Sequence, residues 1–522
     1  MSHATITFLI LLAVVVLFVW NRIAVEVVAI GAALVLYATG VLRLDQILAG
    51  FGDPTVIFIA TLFVIGEGLD ASGVTTWAGQ QLSARTRGSR SRLLIFTMLL
   101  VAGLTALISL NGAVAALLPV VILKGIRNGP PSQLLMPMVF AAHAGSLLTM
   151  TGTPVNVLMA DVAAEATGSA FGFFEFAIMG VPLLLGTIAI VVVFGKRLLP
   201  HRNARTIPAD LSALARTLMD QYAIADHVRS PDALFTPERG VAEVVIPPRS
   251  DLLGASVYPG MVSNSGDFVI LAVQRGGGDI SKETALEVGD ILLLRGTWDA
   301  LEERTAHPDL LVVDSPDLVR RQAAPLGGKA WTAIALLLLM VGLLVTKALP
   351  EVVTGLLVAS AMLVLRALTL EQAYKAVSWT TVILVAAMIP LATAMRETGA
   401  AEALAETLVR IVGDAGPYAL LVGLFVLTAI LGQLISNMAT ALVVSPIAVS
   451  AAAALGISAR PLLMVVTVAA AAAFLTPVAT PVNLMVKEPG GYRFGDYWKL
   501  GLPLLLLYFV VTIAIVPLVW RF

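Results

Sequence analysis

The chain of 522 residues contains no cysteine. Disulfides, thiolate metal sites and cysteine nucleophiles are therefore excluded. Charge is scarce as well: Asp, Glu, Lys and Arg make up 13% of the residues, where a soluble domain carries about a quarter. The net charge of −1 argues against a nucleic-acid partner. No nucleophile elbow, Walker loop or HExxH zinc motif is present, so neither an enzyme nor an ATP-driven pump is expected. What fills the chain instead is apolar. Hydrophobic residues reach 58% and the mean hydropathy is +0.92. The expected class is an all-α polytopic membrane protein with membrane lipid as its surroundings. The N-terminal run "ITFLILLAVVVLFVW" lacks a basic n-region and a small-residue cleavage site, and reads as a first span.

One region is polar, from about 199 to 329. The expected organisation is a membrane repeat over 1–198, a helical linker over 199–237, a small α/β domain over 238–326 and a second membrane repeat over 327–522. In the inserted domain "VAEVVI", "DFVILAVQ" and "DILLLRG" alternate as strands between turn residues, and the "GGG" at 276–278 reads as a hairpin turn.

A phrase recurs across the insert. Thr153-Pro154-Val155-Asn156 returns as Thr480-Pro481-Val482-Asn483. Ser109 and Pro119 are matched by Ser436 and Pro446 at the same offset in the numbering, and Gly73 by Gly399 at an offset one shorter. Such order points to internal duplication. Each half offers six apolar stretches, the fourth long and interrupted by Ser109, Asn111 and Gly112 or by Gln433, Ser436 and Asn437. That pattern predicts five spans and a re-entrant hairpin per half, with any exposed backbone at the tip covered by protein or water. Basic residues flank the first hairpin (Arg85, Arg87, Arg90, Arg92, Lys124, Arg127) and follow the sixth stretch (Lys196, Arg197, Arg202, Arg205). Both places are then cytoplasmic, and so is the inserted domain, in a plasma (inner) membrane. An odd number of spans per half makes the second repeat inverted. Its hairpin opens outside, behind the acid-rich loop "RETGAAEALAETLVRIVGDAG".

Inverted repeats with broken helices place a transport site near mid-membrane. Proline removes a backbone donor and disfavours helix at the residue before it. Breaks at Thr153-Pro154 and Thr480-Pro481 free carbonyls for a cation and helix N-termini for an anion. Ser109, Asn111, Thr153, Pro154, Asn156, Ser436, Asn437, Thr480, Pro481 and Asn483 are the candidate substrate-binding residues. Hydrogen bonding between helices is the alternative role for Ser109 and Asn111. Glu67 and His143 are ionisable groups inside spans and are candidates for proton coupling; a histidine satisfied by a backbone carbonyl is the alternative. Arg396 is expected to snorkel to the interface.

The ordered set "SLNGA", "TGTPVN", "SNMAT" and "TPVATPVN" resembles the divalent anion/sodium symporter family of the wider ion transporter superfamily. The resemblance covers both membrane halves. It implies hairpin tips that contact carboxylate or sulfate oxygens and shape two Na⁺ sites, here assigned to Ser109, Asn111, Gly152, Ser436, Asn437 and Ala479. The first tip, Ser109-Leu110-Asn111, lacks the family's middle Asn; the second, Ser436-Asn437-Met438, lacks its Thr; Ala479 replaces a family glycine. The stretches "SDLLGASV" and "ALEVGDILLLRGTWDALEE" resemble the C-terminal domain of the regulator-of-potassium-conductance (TrkA-C) family. That resemblance implies a module that dimerises and binds a small ligand such as a nucleotide. The combined expectation is an alternating-access carrier of a sulfate-like oxyanion or a di- or tricarboxylate, coupled to Na⁺ and homodimeric. Its rivals are a proton-coupled carrier, a channel gated by the insert, and a membrane enzyme.

Overall fold

The computed structural model describes residues 2–20, 22–74, 90–128, 130–202, 239–262, 268–276, 278–280, 282–297, 300–301, 309–312, 328–412, 416–477 and 479–522. The chain forms two compact units, Met1–Ile207 with Gly328–Phe522, and Pro208–Gly327. The linker expected over 199–237 lies, from 203 on, outside the described residues.

Among the described residues, the regular structure of the first unit is all helix. Its N-terminal half comprises α1 (His3–Trp20), α2 (Val25–Ala38), α3 (Leu44–Ala49), α4 (Pro54–Ala71), α5 (Arg90–Leu107), α6 (Leu110–Asn128), α7 (Ser132–Gly145), α8 (Pro154–Thr167) and α9 (Ala177–Leu198). Its C-terminal half comprises α10 (Gly328–Thr346), α11 (Glu351–Val364), α12 (Leu370–Ala376), α13 (Trp379–Glu397), α14 (Ala400–Val412), α15 (Gly416–Leu434), α16 (Asn437–Leu455), α17 (Ala459–Ala471), α18 (Pro481–Lys487) and α19 (Tyr497–Val519). Helix starts recur at one constant offset, Leu110 with Asn437, Ser132 with Ala459, and Pro154 with Pro481. It is the offset of the repeated phrase. Gly73 and Gly399 both end a helix in the left-handed region, at φ +86° and +76°, where a side chain would be strained.

Among the described residues, eight helices are long and apolar enough to cross a membrane. Twelve apolar stretches predict more. The difference is local. The stretches at 134–163 and 460–487 are each unwound midway, so neither holds one long helix, and α2 and α11 stop at 14 residues. The acid-rich segment after α13 reads as a loop in the sequence but forms α14. Ala400, Ala401 and Ala405 are its buried face, with Ala401 and Ala405 one helical turn apart.

The second unit holds a five-stranded sheet with the order β4-β3-β6-β1-β7, where β1 is Arg239–Val245, β3 Phe268–Arg275, β4 Gly278–Asp279, β6 Ile291–Thr297 and β7 Leu311–Val312. A separate pair joins β2 (Ser256–Val257) to β5 (Thr284–Ala285). β3 turns into β4 at the expected glycines, with Arg275 opposite Gly278 and Gly276 at φ +59°. Asp290 ties the end of β3 to the start of β6. Its carboxylate accepts from Arg275 Nε and Nη2, both at 2.7 Å, and from Glu287 N at 2.8 Å. The Arg275 guanidinium holds this carboxyl below the usual carboxylate range. A depressed folded-state pKa contributes stability that is fully present above the unfolded value of about 3.9 and is lost as pH falls through the folded value. Asp290→Asn is expected to weaken this unit by about 1.5–3 kcal/mol, the range for hydrogen bonds to charged groups. Limited proteolysis of the full protein checks it: faster cutting within 239–312 at pH 7, with the difference from wild type shrinking only as pH falls below about 4 and through the lowered folded-state value.

Candidate functional site: two clasped broken helices

Both α8 and α18 begin with proline, a residue preorganised for the first helical position. The residues before them, Thr153 (φ −152°, ψ 145°) and Thr480 (φ −144°, ψ 151°), are extended, as a following proline requires. Upstream, the described backbone is non-helical from the end of α7 to Thr153, apart from one short turn at Met150–Gly152, and from the end of α17 to residue 477 and again at 479–480. Carbonyls there have no helical donor, and in an apolar setting each must find another.

The two asparagines supply it. Asn156 Nδ2 donates to Ser146 O and Thr149 O, both at 2.8 Å. Asn483 Nδ2 donates to Ala473 O at 2.8 Å and Thr476 O at 3.0 Å. Every member of the second clasp follows its partner in the first at the offset of the repeat. Further bonds recur at that offset. Thr149 Oγ1 donates to Ala106 O at 2.6 Å, and Thr476 Oγ1 to Gln433 O at 3.3 Å. Gly112 N donates to Ser109 Oγ at 3.1 Å, and Ala439 N to Ser436 Oγ at 3.3 Å. Ser109 and Ser436 therefore cap α6 and α16 at the hairpin tips.

The clasps also limit what the asparagines can bind. Both amide hydrogens of Asn156 and of Asn483 are engaged by carbonyls, so neither side chain has a donor left for an anion. Their Oδ1 atoms are buried without a hydrogen-bond partner, as is Asn437 Oδ1 at the second tip. Oxygen lone pairs suit a hard cation.

Helices bring the halves together crosswise: α18 packs against α6 and α7, and α8 against α16 and α17. The helix that Ser109 or Ser436 caps in each half thus meets the proline-started helix of the other. Asn111 and Pro481 are exposed, Thr153, Pro154, Ser109, Ser436 and Asn437 half-buried, and Gly152, Ala479 and Thr480 buried. His143 is wholly buried. Its Nε2 lies 3.5 Å from Thr480 Oγ1, and its ring meets Phe474 edge-on at 5.7 Å. Glu67 is half-buried on α4 and engaged by a neighbour.

Three features leave no mark in the sequence. Gly180 and Gly501 lie against the unwound segments: a Cβ would come within 2.4 Å of Leu147 O and 2.3 Å of Phe474 O. A cavity of about 120 Å³ between α4, α8, α13 and α16 is lined by Asp53, Asp161, Glu165 and Arg396. Its acidic excess favours cations. Arg396, expected to snorkel, is exposed and pairs with Glu165 at 3.0 Å. Nothing adjacent in sequence signals these meetings.

A model of the citrate transporter family (CitMHS) matches residues 15–469 and, in a second match, 420–522. The chain belongs to the citrate transporter family. It is 30% identical over 612 aligned residues to the uncharacterised transporter YfbS of Escherichia coli K12, spanning the whole of both chains. The probable sodium/sulfate cotransporter 3 of Chlamydomonas reinhardtii is 27% identical over 295 residues, covering 52% of this chain and 31% of that one. The crystal structure of the Alcanivorax borkumensis YdaH transporter aligns over 97% of this chain and 98% of its own, with a TM-score of 0.51 and 14% identity; the fold is shared. This member of the citrate transporter family is accordingly a multi-pass membrane transporter and not an enzyme. The matched family is the citrate transporters; the resemblance to divalent anion/sodium symporters rests on the motifs and on the Chlamydomonas cotransporters.

Proposed function

We propose that this protein is a secondary active carrier of a small anion, a sulfate-like oxyanion or a di- or tricarboxylate, driven by Na⁺. The observation that carries the reading is the repeated clasp, in which Asn156 and Asn483 hold open two unwound segments at the same offset. Freed carbonyls and the unpartnered Oδ1 atoms offer oxygen to a cation. Capped hairpin tips at Ser109 and Ser436 offer helix N-termini to an anion. Excess Na⁺ charge beside them holds a dianion without arginine. In this reading the halves are inverted copies, the hairpins are re-entrant, and the substrate passes by alternating access at the crossing of α6, α8, α16 and α18. The names of the family and of the Chlamydomonas cotransporters, citrate and sodium/sulfate, fit these two anion classes. The inserted unit acts on the cytoplasmic side as a dimerising or ligand-sensing module of the TrkA-C kind.

Uptake into proteoliposomes tests this. An inward Na⁺ gradient is expected to drive accumulation of radiolabelled sulfate or citrate, and a pH gradient alone is not. Accumulation of neither anion, or accumulation driven equally well by protons, would overturn the assignment.

A further inference from the structure

The two clasps share a frame but not their surroundings. His143 on α7 has no counterpart: at the matching position of α17 stands Ala470. Each of these helices packs against the broken helix of the opposite half, α7 against α18 and α17 against α8. Beside α18, then, an imidazole stands near Thr480 Oγ1 and the Asn483 carboxamide. Thr480 is 4% exposed, and its hydroxyl also accepts from Asn483 N at 3.4 Å. On α17, which packs against α8, the position that matches His143 carries only the methyl of Ala470. Thr153 is half-buried and makes no capping bond. Asn156 Oδ1 and Asn483 Oδ1 are both buried without a hydrogen-bond partner, so the neighbouring imidazole is what sets the two apart.

We infer that the two broken helices are unequal. The first, through Asn156 Oδ1, the Thr153 hydroxyl and the carbonyls between Ser146 and Thr153, holds the coupling Na⁺, and His143 fills the corresponding place beside the second. The inference rests on the reading of the broken helices as the transport site. Its chemistry is that of a carboxamide whose N–H groups are engaged: an oxygen remains, and a hard monovalent cation is what it accepts. An imidazole ring takes the volume such an ion would need beside Asn483. Substrate coupling is then asymmetric although the frame is symmetric.

Equilibrium binding of ²²Na⁺ to the purified full-length protein counts the sites without requiring transport, with choline replacing Na⁺ at constant ionic strength. Wild type is expected to bind one Na⁺ per chain in this region and to gain thermal stability on binding, because a ligand selective for the folded state shifts melting by mass action. His143→Ala is expected to open the second place and raise the count to two. Ala470→His is expected to abolish binding while the protein remains monodisperse. Since Ala470 is fully buried and that variant can fail to fold, His143→Ala carries the decision. A wild-type count of two that His143→Ala leaves unchanged overturns the inference but leaves Na⁺ coupling standing. No Na⁺ binding at all, with sulfate or citrate uptake intact, removes Na⁺ coupling and the inference together.

Discussion

Asn156→Leu is expected to abolish uptake and to destabilise the membrane unit severely, and Asn483→Leu to do the same. The reasoning is a count of orphaned groups. Each asparagine donates to two buried carbonyls, Ser146 O and Thr149 O in one case, Ala473 O and Thr476 O in the other. Leucine fills similar volume but donates nothing. Each buried acceptor left unsatisfied costs about 1–3 kcal/mol; Asn483→Leu strips the donor from two of them, whereas after Asn156→Leu Thr149 O keeps Gly152 N at 3.3 Å, and lipid offers no water to relieve the rest. Asn→Asp is a sharper version, since a carboxylate would face two carbonyl oxygens with no proton between them. A large effect of both substitutions is the distinctive part, with Asn483→Leu at least as damaging as Asn156→Leu. A substrate ligand on one side only would leave the other substitution near wild type in stability, whereas paired clasps make both substitutions destabilising. Melting in detergent, followed by tryptophan fluorescence, reads the stability and proteoliposome uptake reads the function. A leucine variant with wild-type melting would mean that the unwound carbonyls find other donors.

The second large effect concerns glycine. At Gly152 an added Cβ would lie 2.4 Å from Ser146 O and within 3.0 Å of two more backbone atoms of Ser146. Backbone cannot step aside as a flexible side chain can. Gly152→Ala must therefore push Thr153 away from the clasp, at a cost of about 1–3 kcal/mol or more for overpacking. Misplacing a ligand by about 1 Å lowers transport far more than it lowers stability. The copy at Ala479 already accommodates a methyl, so Ala479→Gly is expected to cost no more than about 1 kcal/mol. Uptake at matched expression should fall at least tenfold for the first substitution and stay within a fewfold of wild type for the second. Comparable losses in both would mean that the two unwound segments share one backbone path.

Much of this architecture is legible in the residues. Proline dictates where α8 and α18 start, because a missing N–H and a restricted preceding residue break any helix. Gly73 and Gly399 mark helix ends by the left-handed turn they permit. The clasp is not legible. Its acceptors are main-chain carbonyls of Ser146, Thr149, Ala473 and Thr476, and any residue type supplies a carbonyl. For that reason Asn156 and Asn483 read from sequence as free amides for a substrate, whereas their N–H groups are already committed. The crowding at Gly180 and Gly501 is likewise a tertiary fact: the carbonyls they abut, of Leu147 and Phe474, lie well upstream in the chain. Helix α14 escapes a sequence reading because three glutamates and an aspartate around it mask the small buried face of Ala400, Ala401 and Ala405. The pairing of Arg396 escapes it because its partner Glu165 lies 231 residues away.

The pairing of ions across the halves fits the same picture. Arg460, at the start of α17, donates to Glu175 Oε1 at 2.5 Å and to Ser169 Oγ at 2.7 Å, in the segment following α8. At the start of α7, Ser132 O accepts from Tyr492, in the segment following α18, and nearby Arg202 Nη1 donates to Asp496 Oδ2 at 2.7 Å. The two helices that flank the clasps are thus each fastened to the opposite half, which keeps the broken helices registered against the hairpin tips.

The natural absence of cysteine makes the central claim directly measurable. Single cysteines placed at Thr153 and at Ser436 in otherwise unaltered protein can be challenged with a membrane-impermeant thiol reagent from either side of a proteoliposome. A site at the crossing of two inverted copies should be labelled from both sides, more slowly when Na⁺ and the transported anion are present together. Labelling from one side only, indifferent to Na⁺ and anion, would contradict an alternating site at the clasped helices.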